Sequence, residues 1–378
     1  MKWESVTLDK LGIVSRGRSK HRPRDDSSLY GGRYPFIQTA DVKAAPFYIT
    51  DYNETYNEKG LAQSKLWRRG TLCITIAANI ADTAILDIDA CFPDSVMGFI
   101  PYEGISDVRF IKYAFDMLQR DMRQISQGTA QDNLSWQKLS TIQFPDPPIE
   151  VQRRIADYLV AYENLIENNQ KQIKLLEEAA QRLYKEWFID LRFPGHENTP
   201  IIDGVPVGWE KVGLVTIAPI VTGKKDANFG TPDGKYLFFT CAQEPIKAPS
   251  YSFDCDAVIL AGNGDFNVKL YRGQFEAYQR TYVFSPYESK HLYLLYHAVR
   301  ESMRQLIQGA SGSTIKFLTK HMLEDITVFI PDVNTLFAFN KTCETIQQKI
   351  ECLKAQNMYS QESRDRLLPK LVGGEIEV

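Results

Sequence analysis

The fold is decided by a segment that occurs twice, MRQISQG at residues 122–128 and MRQLIQG at residues 303–309, with an offset of 303 − 122 = 181 residues from the start of one copy to the start of the other. Each copy ends a stripe of apolar side chains that recur at the spacing of one helix face. The stripes are Ile111, Ala114, Phe115, Leu118, Met122 and Ile125 in the first copy and Leu292, Leu295, Tyr296, Val299, Met303 and Leu306 in the second. Two copies are fewer than a solenoid needs, so the repeat predicts two similar globular domains.

The repeat extends beyond these helices on both sides. Trp3-Glu4 is repeated by Trp209-Glu210, and residues 142–145 are repeated by residues 328–331. Short strand-like runs at residues 34–37, 72–76 and 257–260 predict sheets within the copies. Each copy is therefore predicted to be a mixed α/β (α+β) domain, the first over residues 1–145 and the second over residues 209–331. Prolines and glycines exclude a helix or a central strand over residues 193–208, which are predicted to be a linker.

Composition bounds the class of protein. The chain has 378 residues, 44% hydrophobic and 24% charged, enough to build full cores in two or three domains. We expect a cytoplasmic protein without a membrane segment, because no apolar run approaches a membrane span and the first residues lack the apolar stretch of a secretory signal. Six cysteines without a Cys-x-x-Cys pair indicate neither a disulfide framework nor a zinc site. A net charge of −3 argues against an all-over basic protein but allows a basic face.

Two further segments, residues 146–192 and 332–378, follow the two domains and carry a heptad-like apolar repeat. The repeating positions are Ile155, Leu159, Tyr162, Ile166, Asn169, Ile173, Leu176, Ala180, Leu183 and Trp187 in the first, and Leu336, Phe339, Cys343, Ile346, Ile350, Leu353, Asn357, Ser360, Arg364, Leu367 and Leu371 in the second. A helix of about 33 residues spans roughly 50 Å, more than a small domain. This length favours an antiparallel coiled coil over the alternative of two ordinary amphipathic helices packed on their own domains.

The register of the helix pair follows from its polar members. If residues whose numbers sum to 526 face each other, Asn169 meets Asn357, and a matched asparagine pair fixes register where a single buried asparagine would cost stability. The same register predicts that the Arg364 guanidinium lies on the Tyr162 ring. Pro369 is predicted to end or kink the second helix before Leu371 is reached. The predicted fold is thus two similar domains joined by two long helices, an internal pseudo-two-fold repeat.

Three segments are the most specific in the chain: SQGTAQDNL at residues 126–134, FPDPPIEVQRRIA at 144–156, and WFIDLRFPG at 187–195, which leads to VGWE at 207–210. With them the chain resembles, over nearly its whole length, the specificity (S) subunits of Type I restriction-modification systems. The second copy departs from the pattern, because GASGSTI at 309–315 lacks the Gln-x-Asn-Leu segment and PDVN at 331–334 lacks the Pro-Pro and Gln of the first. Residue-level transfer is weaker there.

This resemblance implies two target recognition domains, each recognising one half of a split site on double-stranded DNA, and two helical regions that set the spacing and dock the methyltransferase (modification) subunits. Two such subunits per chain are expected, with restriction (translocase/endonuclease) subunits in the full complex. The resemblance places the cofactors S-adenosylmethionine, ATP and Mg in those partners, with none in this chain. The recognition part of another DNA methyltransferase or restriction assembly is the alternative within this class.

Two kinds of loop are candidates for DNA binding. Basic residues follow the first strand in a segment with Gly17 and Pro23, a flexible loop suited to phosphates, and two lysines after Gly223 take a similar place in the second copy. Amide and hydroxyl side chains follow each repeated helix and can pair with base edges, although they can also simply cap the helix and form a turn. The candidates are Arg16, Arg18, Lys20, Arg22, Arg24, Lys224, Lys225 and Lys316 among the cations, and Gln127, Thr129, Gln131, Asn133, Gln308, Ser311 and Ser313 among the neutral residues.

Catalytic, cofactor and metal motifs are not found in the sequence. Residues 146–149 resemble the Asp-Pro-Pro-aromatic motif of amino-methyltransferases but lack the aromatic residue, and no glycine-rich cofactor loop precedes them. Their prolines are instead predicted to stop a strand and start the first long helix. Gly223-Lys224-Lys225 is not a P-loop, and the five histidines lack metal spacing. We therefore predict no enzymatic activity in the isolated chain, with a methyltransferase or nuclease, and a coiled-coil scaffold for other proteins, as the competing classes.

Overall fold

The computed structural model describes residues 3–23, 25–76, 81–126, 136–310 and 316–378, with the backbone alone for residues 120–126 and 136. These form two compact units. The first comprises Met1–Gln170 with Lys354–Val378, and the second comprises Lys171–Leu353. Both long helices cross from one unit to the other, so the predicted domain boundaries at residues 145, 192, 208 and 331 stay predictions.

Among the described residues the first unit contains three sheets and parts of both long helices. Its strands are β1 (Ser5–Thr7), β2 (Gly12–Arg16), β3 (Tyr30–Phe36), β4 (Tyr48–Ile49), β5 (Glu54–Tyr56), β6 (Leu66–Trp67), β7 (Leu72–Thr75), β8 (Thr83–Leu86), β9 (Ala90–Cys91), β10 (Val96–Pro101) and β11 (Gln143–Pro145). Its helices are α1 (Leu8–Leu11), α2 (Thr39–Ala44), α3 (Glu58–Gln63), α4 (Val108–Ser126), α5 (Trp136–Leu139), the first part of α6 (Ile149–Tyr184) and the last part of α9 (Val333–Val372). The strand orders are β2-β10-β7-β8-β4, β5-β3-β9-β6 and β1-β11.

The second unit repeats this plan around one larger sheet. Its strands are β12 (Ile201–Ile202), β13 (Val205–Pro206), β14 (Glu210–Gly213), β15 (Ile220–Thr222), β16 (Tyr236–Phe239), β17 (Ile246–Ala248), β18 (Phe253–Ala261), β19 (Val268–Ala277), β20 (Thr281–Phe284) and β21 (Thr327–Ile330). Its helices are the last part of α6, α7 (Leu292–Gly309), α8 (Lys320–Glu324) and the first part of α9 (Val333–Val372). The strand orders are β15-β20-β18-β19-β16-β17, β14-β21 and β12-β13.

The internal repeat is confirmed by these strand orders. The run β2-β10-β7-β8 of the first unit corresponds to β15-β20-β18-β19 of the second, and the pair β1-β11 corresponds to β14-β21. In both units the repeated helix, α4 or α7, packs its apolar stripe into the core, where Ile111, Phe115, Leu295 and Val299 are fully buried. The central strands β7 and β18 are apolar and buried on both faces where they meet this core. The mixed α/β fold of each copy is therefore as predicted.

The predicted linker is packed onto its surroundings rather than loose. Residues 193–208 hold a single short helical turn, His196–Asn198, and the small hairpin β12-β13. The Phe193 ring is buried and lies 4.4 Å from the ring of Trp209. The prediction of no regular helix and no central strand here is correct, but an aromatic contact fixes the path of the segment.

The two long helices pair antiparallel within each unit. In the first unit Glu163 of α6 contacts Arg364 of α9, and Asn169 of α6 contacts Asn357 of α9. Residue numbers therefore rise along α6 while those of the facing residues on α9 fall. In the second unit a π-helical turn, Lys185–Ile189, extends α6, and the Trp187 ring lies 6.0 Å from the Phe339 ring. The alternative of two unpaired amphipathic helices is thereby excluded.

Prolines precede α6 and lie near the end of α9, and the expectation that Pro369 ends the second helix is wrong. β11 ends at Pro145 and α6 begins at Ile149, directly after Pro147-Pro148, as predicted. By contrast α9 continues past Pro369 to Val372. Leu371 and Val372 are buried in the core of the first unit, and the Gly373 N–H donates to the Pro369 carbonyl at 2.9 Å. Burial of these two side chains compensates for the backbone hydrogen bond that the proline removes.

A buried neutral histidine joins α7 to the helix pair in the second unit. His297 is 2% exposed, and its Nδ1 lies 2.9 Å from Oε1 of Gln181 on α6. Its ring lies 6.0 Å from that of Tyr184 and 5.9 Å from that of Phe339. Burial, with a smaller contribution from the nearby Arg300 charge, lowers the pKa of His297 to about 3. The histidine therefore stays neutral in the folded state over a wide range of pH.

We expect this histidine to make the protein sensitive to acid. Above the ordinary histidine pKa of about 6.5 the His297 side chain is neutral in both the folded and the unfolded state. There it adds nothing to the pH dependence of the free energy of unfolding. Between about 6.5 and about 3 only the unfolded state takes up the proton, so the free energy of unfolding falls as pH falls. Urea unfolding of the wild type and of His297→Phe at pH 7.5 and pH 5 should show a smaller loss in the variant.

The exposed His321 of α8 provides the matched control. His321→Phe should leave the loss of stability between the two pH values as it is in the wild type. An equal loss in the wild type and in His297→Phe would contradict this account of the buried histidine.

Candidate nucleic-acid interface

The first basic segment begins at the end of an edge strand. Arg16 is the last residue of β2, the outermost strand of the five-stranded sheet, and it pairs with Met97 of β10. The side chains of Arg16, Arg18 and Lys20 are exposed. Among the described residues, none of these three forms an ion pair. They are free to neutralise phosphates.

The segment is held at several points, which differs from the expected flexible loop. The Arg18 N–H donates to the Phe92 carbonyl at 3.0 Å, and the Ser64 hydroxyl donates to the Arg18 carbonyl at 2.7 Å. The Lys20 N–H donates to the Gln63 side-chain oxygen at 2.6 Å. Ordering these cations before binding lowers the entropy cost of a phosphate contact.

Arg22 is the least available of the described cations in this segment. Its guanidinium donates to the carbonyls of Ser19 and His21, both at 2.7 Å, and lies 3.8 Å from the Asp94 carboxylate. These contacts fit a residue that shapes the loop. Its predicted role in DNA binding stays a prediction.

The second basic segment takes the equivalent place in the second unit. Lys224 and Lys225 follow β15, which is the outermost strand of the six-stranded sheet as β2 is of the five-stranded one. Lys224 is exposed, whereas the Lys225 ammonium lies over the Phe229 ring at 4.4 Å. The structure thus places a cation one residue after a glycine in both units.

The two glycines explain why the segments leave their sheets in the same way. A Cβ at Gly17 would lie 2.2 Å from the Pro93 carbonyl oxygen, and one at Gly223 would lie 2.0 Å from the Ala277 carbonyl oxygen. The Gly17 N–H donates to Val96 at 2.8 Å, and that of Gly223 to Thr281 at 3.1 Å. Only glycine permits this approach of two backbones, and the sequence already showed cations after a glycine at the equivalent place in both copies.

The remaining candidates divide into described and undescribed residues. Gln308 in the last turn of α7 and Lys316 beyond it are exposed. Lys316 precedes Phe317, which forms a β-bridge with Asn263. Outside the described residues lie Arg24, Gln127, Thr129, Gln131, Asn133, Ser311 and Ser313. Their proposed contacts with DNA stay predictions.

The asparagine pair of the helices is present in the first unit. Asn169 Nδ2 donates to Asn357 Oδ1 at 2.9 Å and to Gln356 Oε1 at 3.3 Å, while Asn357 Nδ2 donates to the Ile166 carbonyl at 3.5 Å. Asn169 is 2% and Asn357 9% exposed. A register shift of one residue would leave these buried amides without partners, so the pair selects the predicted register.

Arg364 does not lie on Tyr162 as predicted. Its Nη1 lies 2.9 and 3.1 Å from the two carboxylate oxygens of Glu163, and its Nη2 lies 2.7 Å from Asp365. Burial raises the pKa of Glu163, and the Arg364 charge opposes that rise. A half-buried carboxylate is a stronger partner for guanidinium than a ring face, and Glu163 is the next residue along α6.

Replacing Asn169 should test the asparagine pair. In Asn169→Leu the side-chain oxygen Oδ1 of Asn357 loses its donor, and we expect the free energy of unfolding to fall by about 1–3 kcal/mol. Asn169→Leu with Asn357→Leu should recover this loss, because both buried amides are then replaced by apolar groups. Urea unfolding measures both effects.

Asn168→Leu is the matched control, because Asn168 is the exposed neighbour of Asn169 on α6. It should change the free energy of unfolding little. A double Leu variant less stable than Asn169→Leu would show that the two amides do not act as a pair.

The sequence reasoning missed a glutamine that fixes the start of α6. Gln152 is fully buried. Its Oε1 accepts from the Asp107 N–H at 3.0 Å, and its Nε2 donates to the carbonyls of Ile105 at 3.0 Å and Pro147 at 2.9 Å. These bonds join α6 to the segment that precedes α4. The sequence signal for this role was a glutamine placed in the first turn of α6, shortly after Pro147-Pro148.

Two absences hold for the described part of the chain. No group of three or more His, Cys, Asp or Glu side chains there could hold a metal ion. No described helix is long and apolar enough to cross a membrane.

Comparison with known proteins gives consistent matches. The family described as "Type I restriction modification DNA specificity domain" matches residues 1–178 and 206–355. The Type I restriction enzyme EcoDI specificity subunit of Escherichia coli is 39% identical over 152 residues, 40% of this chain and 34% of that protein. The MjaIX specificity subunit of Methanocaldococcus jannaschii is 24% identical over 100% of this chain and 94% of its own length.

A solved structure shows the same fold. The S subunit of a Type I restriction-modification system from M. genitalium superposes with a TM-score of 0.61 at 16% identity, covering 98% of this chain and 96% of that one. At this identity the likeness concerns the fold alone.

Proposed function

Because this chain belongs to the family of Type I restriction modification DNA specificity domains, we propose that it recognises DNA sequence for a Type I restriction-modification complex. Each globular domain recognises one half of an asymmetric bipartite site, and the two helices set the spacing of the halves. The observation that supports this most is the repeated turn of edge strand, glycine and exposed cation in both units. It supplies equivalent phosphate contacts in two domains whose other loops differ.

The methyltransferase and endonuclease activities are assigned in this proposal to partner subunits, two of them methyltransferase subunits. S-adenosylmethionine, ATP and Mg are bound by those partners. Large apolar side chains remain exposed on the outer faces of the long helices and offer docking positions for partner helices. In the first unit they are Tyr158, Leu165, Met358 and Tyr359, and in the second Leu175, Val333 and Phe337.

The proposal is tested by DNA binding of the chain with and without methyltransferase subunits. The complex should bind one bipartite duplex tightly, whereas the isolated chain should bind it weakly, because partner subunits add phosphate contacts and buried area. Nanomolar, sequence-specific binding by the isolated chain would contradict the need for partners. Measurable binding of S-adenosylmethionine by the isolated chain would contradict the assignment of this cofactor to the partner subunits.

The basic segment offers a sharper test within the complex. Replacing Arg16, Arg18 and Lys20 by Ala should weaken binding to all duplexes. The negative slope of log K against log salt should become shallower by up to about 0.9 for each phosphate that is no longer neutralised. The control replaces Lys10, Arg33 and Lys59, three exposed cations of the same unit, and should leave the slope nearly unchanged. A complex without any salt-sensitive binding to a particular duplex would favour a protein scaffold instead.

A further inference from the structure

A cleft of about 630 Å³ opens in the first unit beside the basic segment. Its walls come from β3, β5 and the segments after β2 and β9. The residues that line it include Ser19, Tyr30, Phe36, Gln38, Glu54 and Tyr56. This volume is in the range of small-molecule sites, and the proposed phosphate contacts leave the cleft itself without a role.

The floor of the cleft is aromatic. The rings of Phe36 and Tyr56 stack with centroids 4.1 Å apart, and the Tyr30 ring lies 5.1 Å from that of Tyr56. Phe36 and Tyr56 are buried, whereas Tyr30 is only partly covered. A flat ring that enters the cleft would therefore meet the Tyr30 side chain above an apolar base.

Two carboxylates supply acceptors in the cleft, among hydroxyl groups that can both donate and accept. Gln38 Nε2 donates to Glu54 Oε2 at 2.7 Å, which uses a donor of the amide and leaves Glu54 Oε1 as an acceptor. Asp25 adds the second carboxylate to the wall. Burial raises the pKa of Tyr30 to about 12, with smaller contributions from Tyr56 and Glu54. An amino group on an occupant would find carboxylate acceptors in this wall.

The rim has the opposite charge. Ser19 lines the cleft, and its neighbours Arg18 and Lys20 are exposed cations. Pro93 and Ser95 also line the cleft, next to the Asp94 to Arg22 contact at 3.8 Å. A phosphate is repelled by the carboxylates inside and attracted by the cations at the rim. This charge pattern orients a nucleotide with its phosphate outside and its base inside.

We propose that this cleft binds one amino-bearing nucleobase, adenine, cytosine or guanine, unstacked from its neighbours in the target DNA. The inference rests on the proposed function and assigns to it a specific site. Carboxylate oxygens accept from the exocyclic amino group of cytosine, and amide groups pair with adenine. Thymine presents a carbonyl oxygen at the corresponding position and would face the Glu54 carboxylate. A base within a stacked duplex cannot enter a concave site, so unstacking is required.

The first test measures binding of dAMP, dCMP, dGMP and dTMP to the full chain by calorimetric titration. We expect at least one of the three amino-bearing nucleotides to bind at least about tenfold more tightly than dTMP. Glu54→Gln introduces an amide that can donate as well as accept, and should bring dTMP to within about threefold of that nucleotide. The control Glu58→Gln, whose side chain pairs with Arg33 outside the cleft, should keep the wild-type preference.

The second test uses the complex with methyltransferase subunits and its target duplex. A 2-aminopurine placed at successive positions of the first half-site should show a rise in fluorescence at one position on binding, and Glu54→Gln should alter the base preference there. Equal binding of the four nucleotides, or binding of spermidine but not of nucleotides, would overturn the inference. If the nucleotide results overturn the inference but the complex still binds its duplex specifically, only the assignment of the cleft fails. If the complex shows no specific binding to any duplex, the proposed function fails as well.

Discussion

Exchanging residues 209–331 for the same region of a relative is expected to change the bases recognised in one half of the DNA site and to leave the other half unchanged. Two altered base pairs, at about 1–3 kcal/mol each, should weaken binding to the former site by at least about thirtyfold. The readout is a methylome of cells that carry the exchanged gene. It should show one new half-site joined to one old half-site.

The structure explains why these boundaries suit an exchange. β14 and β21 pair antiparallel, with Glu210 opposite Ile330, so the two junctions are neighbours at one place in the second unit. The transferred region carries the whole six-stranded sheet and α7. The transferred region must itself begin with a tryptophan at position 209, because the Trp209 ring packs on Phe193 at 4.4 Å and on Phe188 at 5.5 Å. The π-helical turn and the packed linker then stay intact.

The two sheets also explain why the domains should recognise different bases. The first unit carries the separate sheet β5-β3-β9-β6, whereas the second extends its main sheet with β16 and β17. These additions differ although the shared strands agree. A matched control exchanges the same region for that of a relative with the same second half-site, which should leave specificity unchanged. Alteration of both halves by the first exchange would contradict two independent recognition domains.

Periodicity could predict the features that depend on sequence spacing alone. The Asn169 to Asn357 hydrogen bond follows from counting heptads, because a helix turns its side chains by a fixed angle per residue. The partner of Arg364 could not be counted in this way. A long side chain reaches several neighbours, and the structure selects the Glu163 carboxylate over the ring at Tyr162.

Long-range pairing limited what could be predicted of the candidate site. The basic segment is held by Gln63 and Phe92, and the cleft is built from β3, β5 and loops far apart in the chain. Their neighbours are set by the strand order, which no local pattern determines. The glycines at positions 17 and 223 did carry a local sign of a close backbone approach.

Inserting one heptad after Gln170 in α6 alone is expected to abolish specific DNA binding by the complex. Between the Asn169 to Asn357 hydrogen bond and the Trp187 to Phe339 ring pair, α6 covers 187 − 169 = 18 residues and α9 covers 357 − 339 = 18 residues. The insertion lengthens α6 by about 10 Å at 1.5 Å per residue. The two interactions can no longer form together, and either the asparagine pair or the aromatic pair must break.

A second insertion of one heptad after Leu353 in α9 should restore function with a changed site. Both helices then gain about 10 Å, and the two interactions form again in the original register. Since one base pair occupies about 3.4 Å of the helix axis, the gap between the half-sites should grow by roughly three base pairs while both half-sites keep their bases. The methylome is again the readout. The double insertion keeps the heptad register of both interactions and changes only the length of the helices. If the helices set the spacing, that added length must therefore appear as a longer gap between the half-sites in the DNA. A matched double insertion that leaves the gap unchanged would show that the helices do not set the spacing.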